Sequence, residues 1–312
     1  MRTAYLLVSH GSSDARHQAG LSRLADRMQQ QLARLRKDEY RLATGSSLQN
    51  YLNSNNTLVG FAEVNSSFAE PFPIRSLGLS QVDVAEVPIV GTATLEANVT
   101  PLSEQIRIFA QSVETRGIRQ IVVVPLFLLA GVHVREDLPR EIAAACALLP
   151  ARVRLICTPY LGSHNGFKRY VAHRLAKTDA ERCVLLAHGS RRSAGNRAIQ
   201  QLGTILDTDV AFWTVAPNLE TQIFDLVQRG YQRLAIAPYF LFPGSITDAI
   251  TRQTEAVAER LPQLSLRLLA PLGTDMDLGR AVAELALTAP RGLPNVNWSQ
   301  SSLLIAEKGI TA

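Results

Sequence analysis

Residues 5–13 read YLLVSHGSS, and residues 182–190 read RCVLLAHGS, so an apolar, strand-like run ends in His-Gly-Ser twice in this chain. A second pair of segments repeats as well, with VVVPLFLLAGVHVREDLPREI at 122–142 and AIAPYFLFPGSITDAITRQTEAV at 235–257. Each member of that pair joins a strand-like run to a Gly loop and a helical segment. Because self-similarity within a chain is the mark of a repeated structural unit, the sequence predicts two similar halves.

The repeat also predicts the domain boundaries. A third pair, which begins PYLGS at Pro159 and PLGTD at Pro271, closes each half. We therefore predict an N-terminal domain over 1–178, a C-terminal domain over 179–290 and a tail over 291–312.

The first half is longer than the second and must contain an insertion. We place this insertion at about 38–90, in a Ser- and Asn-rich stretch with little sustained periodicity, which is typical of an irregular excursion. A lid, an oligomer contact and a tolerated decoration are all compatible with it.

The overall composition indicates an ordinary globular chain. It has 312 residues, of which 46% are hydrophobic and 19% are charged, which is enough for two domains with substantial cores. The chain contains no apolar run near the roughly 18 residues of a membrane span, and its start is a poor signal peptide. We expect a cytoplasmic monomer, with an internal pseudo-dimer and no membrane partner.

The net charge of +5 would suit a polyanionic ligand. The Arg residues are scattered along helices rather than bunched in a tract, so we expect no nucleic-acid partner. The three cysteines lie in apolar contexts and have no CxxC spacing; they are Cys146, Cys157 and Cys183. We therefore expect three reduced, buried thiols. We expect neither a disulfide framework nor a thiolate metal site.

The hydrophobic pattern predicts a doubly wound α/β fold. Continuous apolar runs such as TAYLLVS and CVLLAHG indicate strands covered on both faces, as in a parallel sheet flanked by helices. The segments between them have helical spacing, with apolar residues at Leu21, Leu24, Ala25, Met28 and Leu32. Ligands of such sheets bind at the carboxyl ends of the strands.

Three side chains are candidates for chemistry at such an edge. His10 ends the first strand-like run, His133 lies in a later strand-end loop, and Glu96 ends another strand-like run. A lone strand-end histidine often only caps the next helix, but two imidazoles and a carboxylate suit Fe²⁺, Co²⁺, Ni²⁺ or Zn²⁺. The same set could also transfer protons. The spacing matches neither HExxH nor a zinc-finger pattern.

The motifs HGS, LE…PLSEQI and VPLFLLAGVHVREDLP together resemble those of the sirohydrochlorin chelatases. These class II chelatases insert Co²⁺ or Fe²⁺ into sirohydrochlorin for cobalamin or sirohaem. The resemblance covers nearly the whole chain outside the insertion and the tail. It implies a chelatase-like fold, with two similar doubly wound parallel-sheet domains facing a central cleft, and metal insertion without a permanently bound cofactor.

The resemblance also implies the roles of the candidate residues. His10 and His133 match the metal-binding, proton-accepting histidines, and Glu96 matches the carboxylate beside them. In the second half His188 matches His10, whereas Ser245 stands in place of the second histidine. Trp213 or Thr214 stands where Glu96 would be. One live site, in the N-terminal half, is therefore expected.

Sirohydrochlorin carries eight carboxylates, so a basic cleft is expected around the site. Arg135, Arg191 and Arg192 are candidates to bind the substrate through bidentate pairing, with solvated surface arginines as the alternative. Ser245 is a further candidate for substrate binding. His188 either lines the cleft or is a structural remnant of the duplication.

The predicted function is a lyase-type sirohydrochlorin chelatase, which inserts Fe²⁺ for sirohaem or Co²⁺ for cobalamin and releases two protons. We favour iron slightly over cobalt, and nickel less. A non-catalytic carrier of the metal or the tetrapyrrole is the main alternative. A structural or regulatory protein with a dead site is a third, but intact His10 and His133 argue against it.

Overall fold

A computed structural model describes the backbone of residues 2–55, 87–191 and 193–289, with the side chains of the first segment described through residue 35. The N-terminal half contains β1 (Thr3–Ser9), α1 (Ala15–Asn55), β2 (Ile89–Thr94), α2 (Leu102–Glu114), β3 (Gln120–Pro125), a π-helical turn (His133–Asp137), α3 (Leu138–Leu148), β4 (Arg154–Cys157) and α4 (Asn165–Ala176). The C-terminal half contains β5 (Arg182–Ala187), α5 (Ser193–Ile205), β6 (Asp209–Phe212), α6 (Leu219–Gln228), β7 (Arg233–Pro238), α7 (Ser245–Arg260), β8 (Ser265–Leu268) and α8 (Leu278–Leu287).

Each half forms a four-stranded sheet, and the two sheets share one topology. The strand orders are β2-β1-β3-β4 and β6-β5-β7-β8. All six pairings within these sheets are parallel. The predicted fold class, an α/β protein with two similar doubly wound parallel sheets, is therefore confirmed.

The two sheets share a single central core. Alternate β1 residues face opposite sides, so Tyr5 and Leu7 join the central cluster while Leu6 and Val8 join an outer one. Helices α1, α4, α5 and α8 fill the space between the sheets, and the buried positions predicted on α1 all belong to this cluster. Helices α2 and α3 cover the outside of the first sheet, and α6 and α7 cover the outside of the second.

Polar contacts also join the halves. The hydroxyl of Tyr170 on α4 donates to the carbonyl of Leu272 over 2.8 Å, and burial raises the pKa of this phenol to about 12. Arg27 on α1 donates to the carbonyls of Gly273 and Asp275. The boundary predicted near residue 178 remains a prediction, but the central core extends to both sides of it.

Several expectations need correction. The segment predicted as an irregular insertion is partly regular, because α1 continues to Asn55 and Ile89 already begins β2. Residues 56–86 and the tail at 291–312 lie outside the described residues. Cys146 is exposed rather than buried, since it lies on the outer face of α3, while Cys157 and Cys183 are partly buried.

The sequence analysis did not recognise the edge strands β2 and β6 as continuous apolar runs, whereas it did recognise β4 and β8 at the opposite edges. Strand β2 reads IVGTAT and is mostly only partly buried, and β6 has only four residues, DVAF, so neither has a long apolar run. Within the described parts of the chain, none of the helices has the length and apolarity of a membrane span.

Candidate metal centre

The carboxyl ends of neighbouring strands bring His10, Glu96 and His133 together. His10 directly follows β1, Glu96 follows β2 by two residues, and His133 begins the π-helical turn after β3. Because β1 lies between β2 and β3 in a parallel sheet, these three ends meet at one edge. One ligand atom from each residue lies within 4.8 Å of the others. The grouping of these three side chains was predicted from the sequence, and the structure brings them together.

The two imidazoles face each other through their Nε2 atoms. These atoms are 3.0 Å apart, and the ring planes are nearly perpendicular at 84°. Glu96 lies beside both rings, with Oε2 3.5 Å from His10 Nε2 and Oε1 3.7 Å from His133 Nδ1. About half of the His10 and Glu96 side chains is exposed, so a bulky substrate could reach them.

The backbone around Gly11 fixes the distance between His10 and Glu96. The N–H of Glu96 donates to the carbonyl of His10 over 2.8 Å. Gly11 has a φ of +100°, and a Cβ at this position would lie 2.0 Å from the carbonyl oxygen of Glu96. Only glycine allows this turn and this close approach. The glycine of the first His-Gly-Ser motif therefore lets the two strand ends meet.

The loop that carries Glu96 is held from α2. The Gln105 side chain donates to the carbonyls of Thr94 and Thr100, both over 2.8 Å, and accepts from the N–H of Thr94 over 3.1 Å. Ala97 turns the chain directly after Glu96 with a φ of +57°. The sequence analysis missed Gln105, although its place in PLSEQI, just past the start of a helix, was a usable signal.

Asp137 is a second residue that the sequence analysis missed. Its Oδ2 lies 2.9 Å from His133 Nδ1, on the opposite side of the ring from His10. The signal in the sequence was HVRED, which places a carboxylate four residues after the histidine, where side chains on a helix can meet.

The second half preserves the backbone of this site and the first histidine, His188, but not the other two candidate ligands. Thr214 donates its N–H to the carbonyl of His188 over 2.9 Å, which is the bond that Glu96 makes to His10. Of the two residues predicted at this position, Thr214 is therefore the counterpart of Glu96. Its hydroxyl also donates to the carbonyl of His188 over 3.0 Å.

The predicted match between Ser245 and His133 is wrong by one residue. Counted from Pro125 and Pro238, which end β3 and β7, His133 falls opposite Ile246. The first helical hydrogen bonds agree, because Arg135 and Asp248 donate their N–H groups to the matched carbonyls of Gly131 and Gly244. The second half still lacks a histidine at this position.

The predicted substrate-binding residues that the structure describes follow strands in both halves. Arg135 is exposed in the π-helical turn, and Arg191 is exposed after His188. Neither guanidinium forms an ion pair within the described part of the chain. His188 itself is exposed at the end of β5 but is not part of the group formed by His10, Glu96 and His133. Arg192 lies outside the described residues.

Ser245 is exposed at the start of α7, where the halves meet through an ion pair. Arg16 on α1 binds Asp248 on α7 through two hydrogen bonds of 2.9 and 2.7 Å, and it also binds Asp14. The Arg16 guanidinium lowers the pKa of Asp14 to about 2.

His17 follows Arg16 on α1. Burial against Phe242 and the proximity of His10 lower the pKa of His17.

The geometry of the two histidines suits a divalent cation. With metal–nitrogen bonds of about 2.1 Å, two Nε2 atoms 3.0 Å apart subtend roughly 90° at the ion. That angle fits neighbouring positions of an octahedral ion, and Glu96 can supply an oxygen ligand while other positions stay open. The fold and this site together define a two-lobed α/β protein with a solvent-accessible histidine–carboxylate group that could hold a metal ion.

Comparison with known proteins identifies the family within that class. The CbiX family profile matches residues 80–178 and again residues 182–289, so the chain belongs to the CbiX family. Each half of the duplicated chain therefore matches the same family profile. The resemblance to sirohydrochlorin chelatases is thereby confirmed. The sirohydrochlorin ferrochelatase of Priestia megaterium is 26% identical over 194 residues, which cover 58% of this chain and 71% of that protein.

Solved structures with the same fold are also known. SirB from Bacillus subtilis with Fe³⁺ superposes with a TM-score of 0.60 at 19% identity, covering 92% of this chain and 95% of that one. The sirohydrochlorin chelatase SirB from Bacillus subtilis subspecies spizizenii in complex with cobalt superposes with a TM-score of 0.56 at 19% identity, covering 92% and 94%. At this identity the likeness shows the shared fold.

Proposed function

We propose that this protein inserts a divalent metal ion into sirohydrochlorin with release of two protons, and that Fe²⁺ is its metal substrate. The observation that carries the proposal is the group formed by His10, Glu96 and His133, whose ligand atoms lie within 4.8 Å of one another. The curated relative named above is a sirohydrochlorin ferrochelatase, which favours iron.

The residue types suit the steps of metal insertion. Two pyrrole N–H protons must leave the macrocycle while a dication reaches the same four nitrogens. Imidazole binds borderline cations yet can exchange them, and it also accepts protons near neutral pH. Glu96, beside both rings, offsets the charge of the cation and can relay a released proton to solvent, because about half of its side chain is exposed.

Exposed arginines after the strand ends of both halves suit a polycarboxylate substrate. Arg135 lies two residues from His133, and Arg191 lies three residues from His188, so arginines accompany the strand ends of both halves. A guanidinium that forms no ion pair with the described residues can bind a carboxylate of the substrate in a bidentate manner. We assign Arg135 and Arg191 to substrate binding on this basis.

An anaerobic absorbance assay tests the proposal. Purified protein is mixed with sirohydrochlorin and Fe²⁺, Co²⁺ or Ni²⁺ in turn, and each rate is compared with the protein-free rate and with that of His10→Ala. We expect acceleration with the wild type, largest for Fe²⁺. A protein that binds Co²⁺ or sirohydrochlorin but leaves the spontaneous rate unchanged would be a carrier. Faster turnover with Co²⁺ than with Fe²⁺ would contradict the assignment of iron.

A further inference from the structure

The carboxylate of Asp137 holds the ring of His133 from behind. Its Oδ2 lies 2.9 Å from His133 Nδ1, while Oδ1 accepts a 2.8 Å hydrogen bond from Arg140. An ionised carboxylate can only accept hydrogen bonds. The proton of a neutral His133 ring therefore resides on Nδ1, and Nε2 presents its lone pair toward His10.

His10 is arranged in the same way by a different acceptor. Its Nδ1 lies 3.2 Å from the carbonyl oxygen of Gly11, which likewise can only accept. In the tautomer that carries both protons on Nδ1, the two Nε2 lone pairs face each other across 3.0 Å. Two lone pairs at this separation repel each other unless a cation lies between them. The acceptors behind the two rings thus prepare the pair to receive a positive charge.

The second half of the protein lacks both members of the His133–Asp137 pair. Counted from the prolines that end β3 and β7, Ile246 lies opposite His133 and Ile250 lies opposite Asp137. Ile250 is fully buried in the outer core of the second sheet. The half without a histidine at this position has no carboxylate behind it, and it begins α7 without a π-helical turn. The carboxylate and the histidine therefore occur together.

We infer that Asp137 is a positioning residue of the metal centre, which fixes the orientation and tautomer of His133 so that Nε2 is available to the incoming ion. Metal-binding histidines are commonly held in this way by a carboxylate on the other ring nitrogen. The effect on metal insertion rests on the proposed function, whereas the effect on metal binding does not.

The test compares three variants of the full-length protein. Asp137→Ala removes the acceptor, Asp137→Asn keeps a neutral acceptor of the same shape, and Glu136→Ala changes the exposed neighbour in the same turn. Metal binding is followed through the affinity for Co²⁺ and the visible absorption spectrum of the bound ion. Metal insertion is followed through kcat and KM. Circular dichroism and urea unfolding check that each variant folds.

For Asp137→Ala we expect Co²⁺ affinity and kcat to fall about 10- to 100-fold, with a changed Co²⁺ spectrum and little change in KM for sirohydrochlorin. Asp137→Asn should recover part of both losses, and Glu136→Ala should match the wild type. Wild-type Co²⁺ binding in both Asp137 variants would overturn the inference, as would lost turnover with an unchanged Co²⁺ spectrum. If the wild type failed to accelerate insertion, the proposed function would fall, but the Co²⁺ measurements would still decide the role of Asp137. If Asp137→Ala failed to fold, the Co²⁺ affinity of Asp137→Asn would decide the question. An affinity below that of the wild type would support the inference, and an affinity equal to it would overturn the inference.

Discussion

Thr214 donates its backbone N–H to the carbonyl of His188 over 2.9 Å, as Glu96 does to the carbonyl of His10 over 2.8 Å. The duplicated unit has thus kept the same strand-end hydrogen bond in both copies. The carboxylate has been replaced by a hydroxyl that turns back onto the backbone. The two halves share a scaffold, and we expect only the first to bind the metal.

Removing either ligand histidine should abolish metal insertion. We expect His10→Ala and His133→Ala to lower turnover at least about 100-fold, because each removes both a metal ligand and a proton acceptor. His188→Ala should have a milder effect. Anaerobic turnover assays on folded variants measure this, and a harmless His133→Ala combined with an inactive His188→Ala would reverse the assignment of the live half.

Gly11→Ala should damage both stability and activity, with Gly117→Ala as its matched control. Both glycines have a positive φ, so each alanine costs roughly 1–2 kcal/mol of folding free energy. A Cβ at Gly117 would meet nothing within 4 Å, whereas one at Gly11 would collide with the carbonyl of Glu96.

The collision should add roughly 1–3 kcal/mol to the loss in Gly11→Ala and should displace Glu96 from the histidines. Urea unfolding and Co²⁺ titration of both variants measure the two effects. Equal stabilities and wild-type Co²⁺ binding in both variants would show that the close approach at Gly11 has no role.

Tyr170→Phe should weaken the contact between the halves. The substitution removes the hydrogen bond to the Leu272 carbonyl, and we expect a loss of about 1 kcal/mol in unfolding free energy at pH 7. Tyr231→Phe is the control, since the hydroxyl of Tyr231 forms no hydrogen bond with the described residues. A loss as large in Tyr231→Phe would contradict a specific role for the bond.

The advantage of Tyr170 over phenylalanine should also depend on pH. Burial raises the pKa of this phenol to about 12 in the folded protein, against about 10 in an unfolded chain. As pH rises from about 10 to about 12, the unfolded state loses the proton first, so the wild type loses stability relative to Tyr170→Phe. Urea unfolding of both proteins across this range checks the sign, and a constant difference would contradict it.

The thiols should differ in reactivity. Burial raises the pKa of Cys157 to about 12, so almost none of it is thiolate at pH 8. Cys146 is exposed, although partial burial of its sulfur also raises its pKa. A thiol reagent followed by peptide mass mapping should modify Cys146 in the native protein and Cys157 only after unfolding. Early modification of Cys157 would contradict the burial of its sulfur.

Local patterns in the sequence determined the architecture. A continuous apolar run such as β1 is removed from water only when both faces of the strand are covered. The 3- and 4-residue spacing on α1 places its apolar residues on one face of the helix, which packs against the core. The repeated His-Gly-Ser motif placed two histidines at strand ends. The duplication, the fold class and the grouping of His10, Glu96 and His133 all followed from these patterns and from the family resemblance.

Only the tertiary structure decided which groups lie behind and around the histidines. The contact of Asp137 with His133, the bracing of the Glu96 loop by Gln105 and the pairing of Thr214 with His188 depend on strand register and helix placement. A shift of one residue, as between Ser245 and Ile246, cannot be read from composition, yet it changes which residue of the second half corresponds to His133. Hydrogen-bond geometry varies over tenths of an ångström, and only the packed chain determines it.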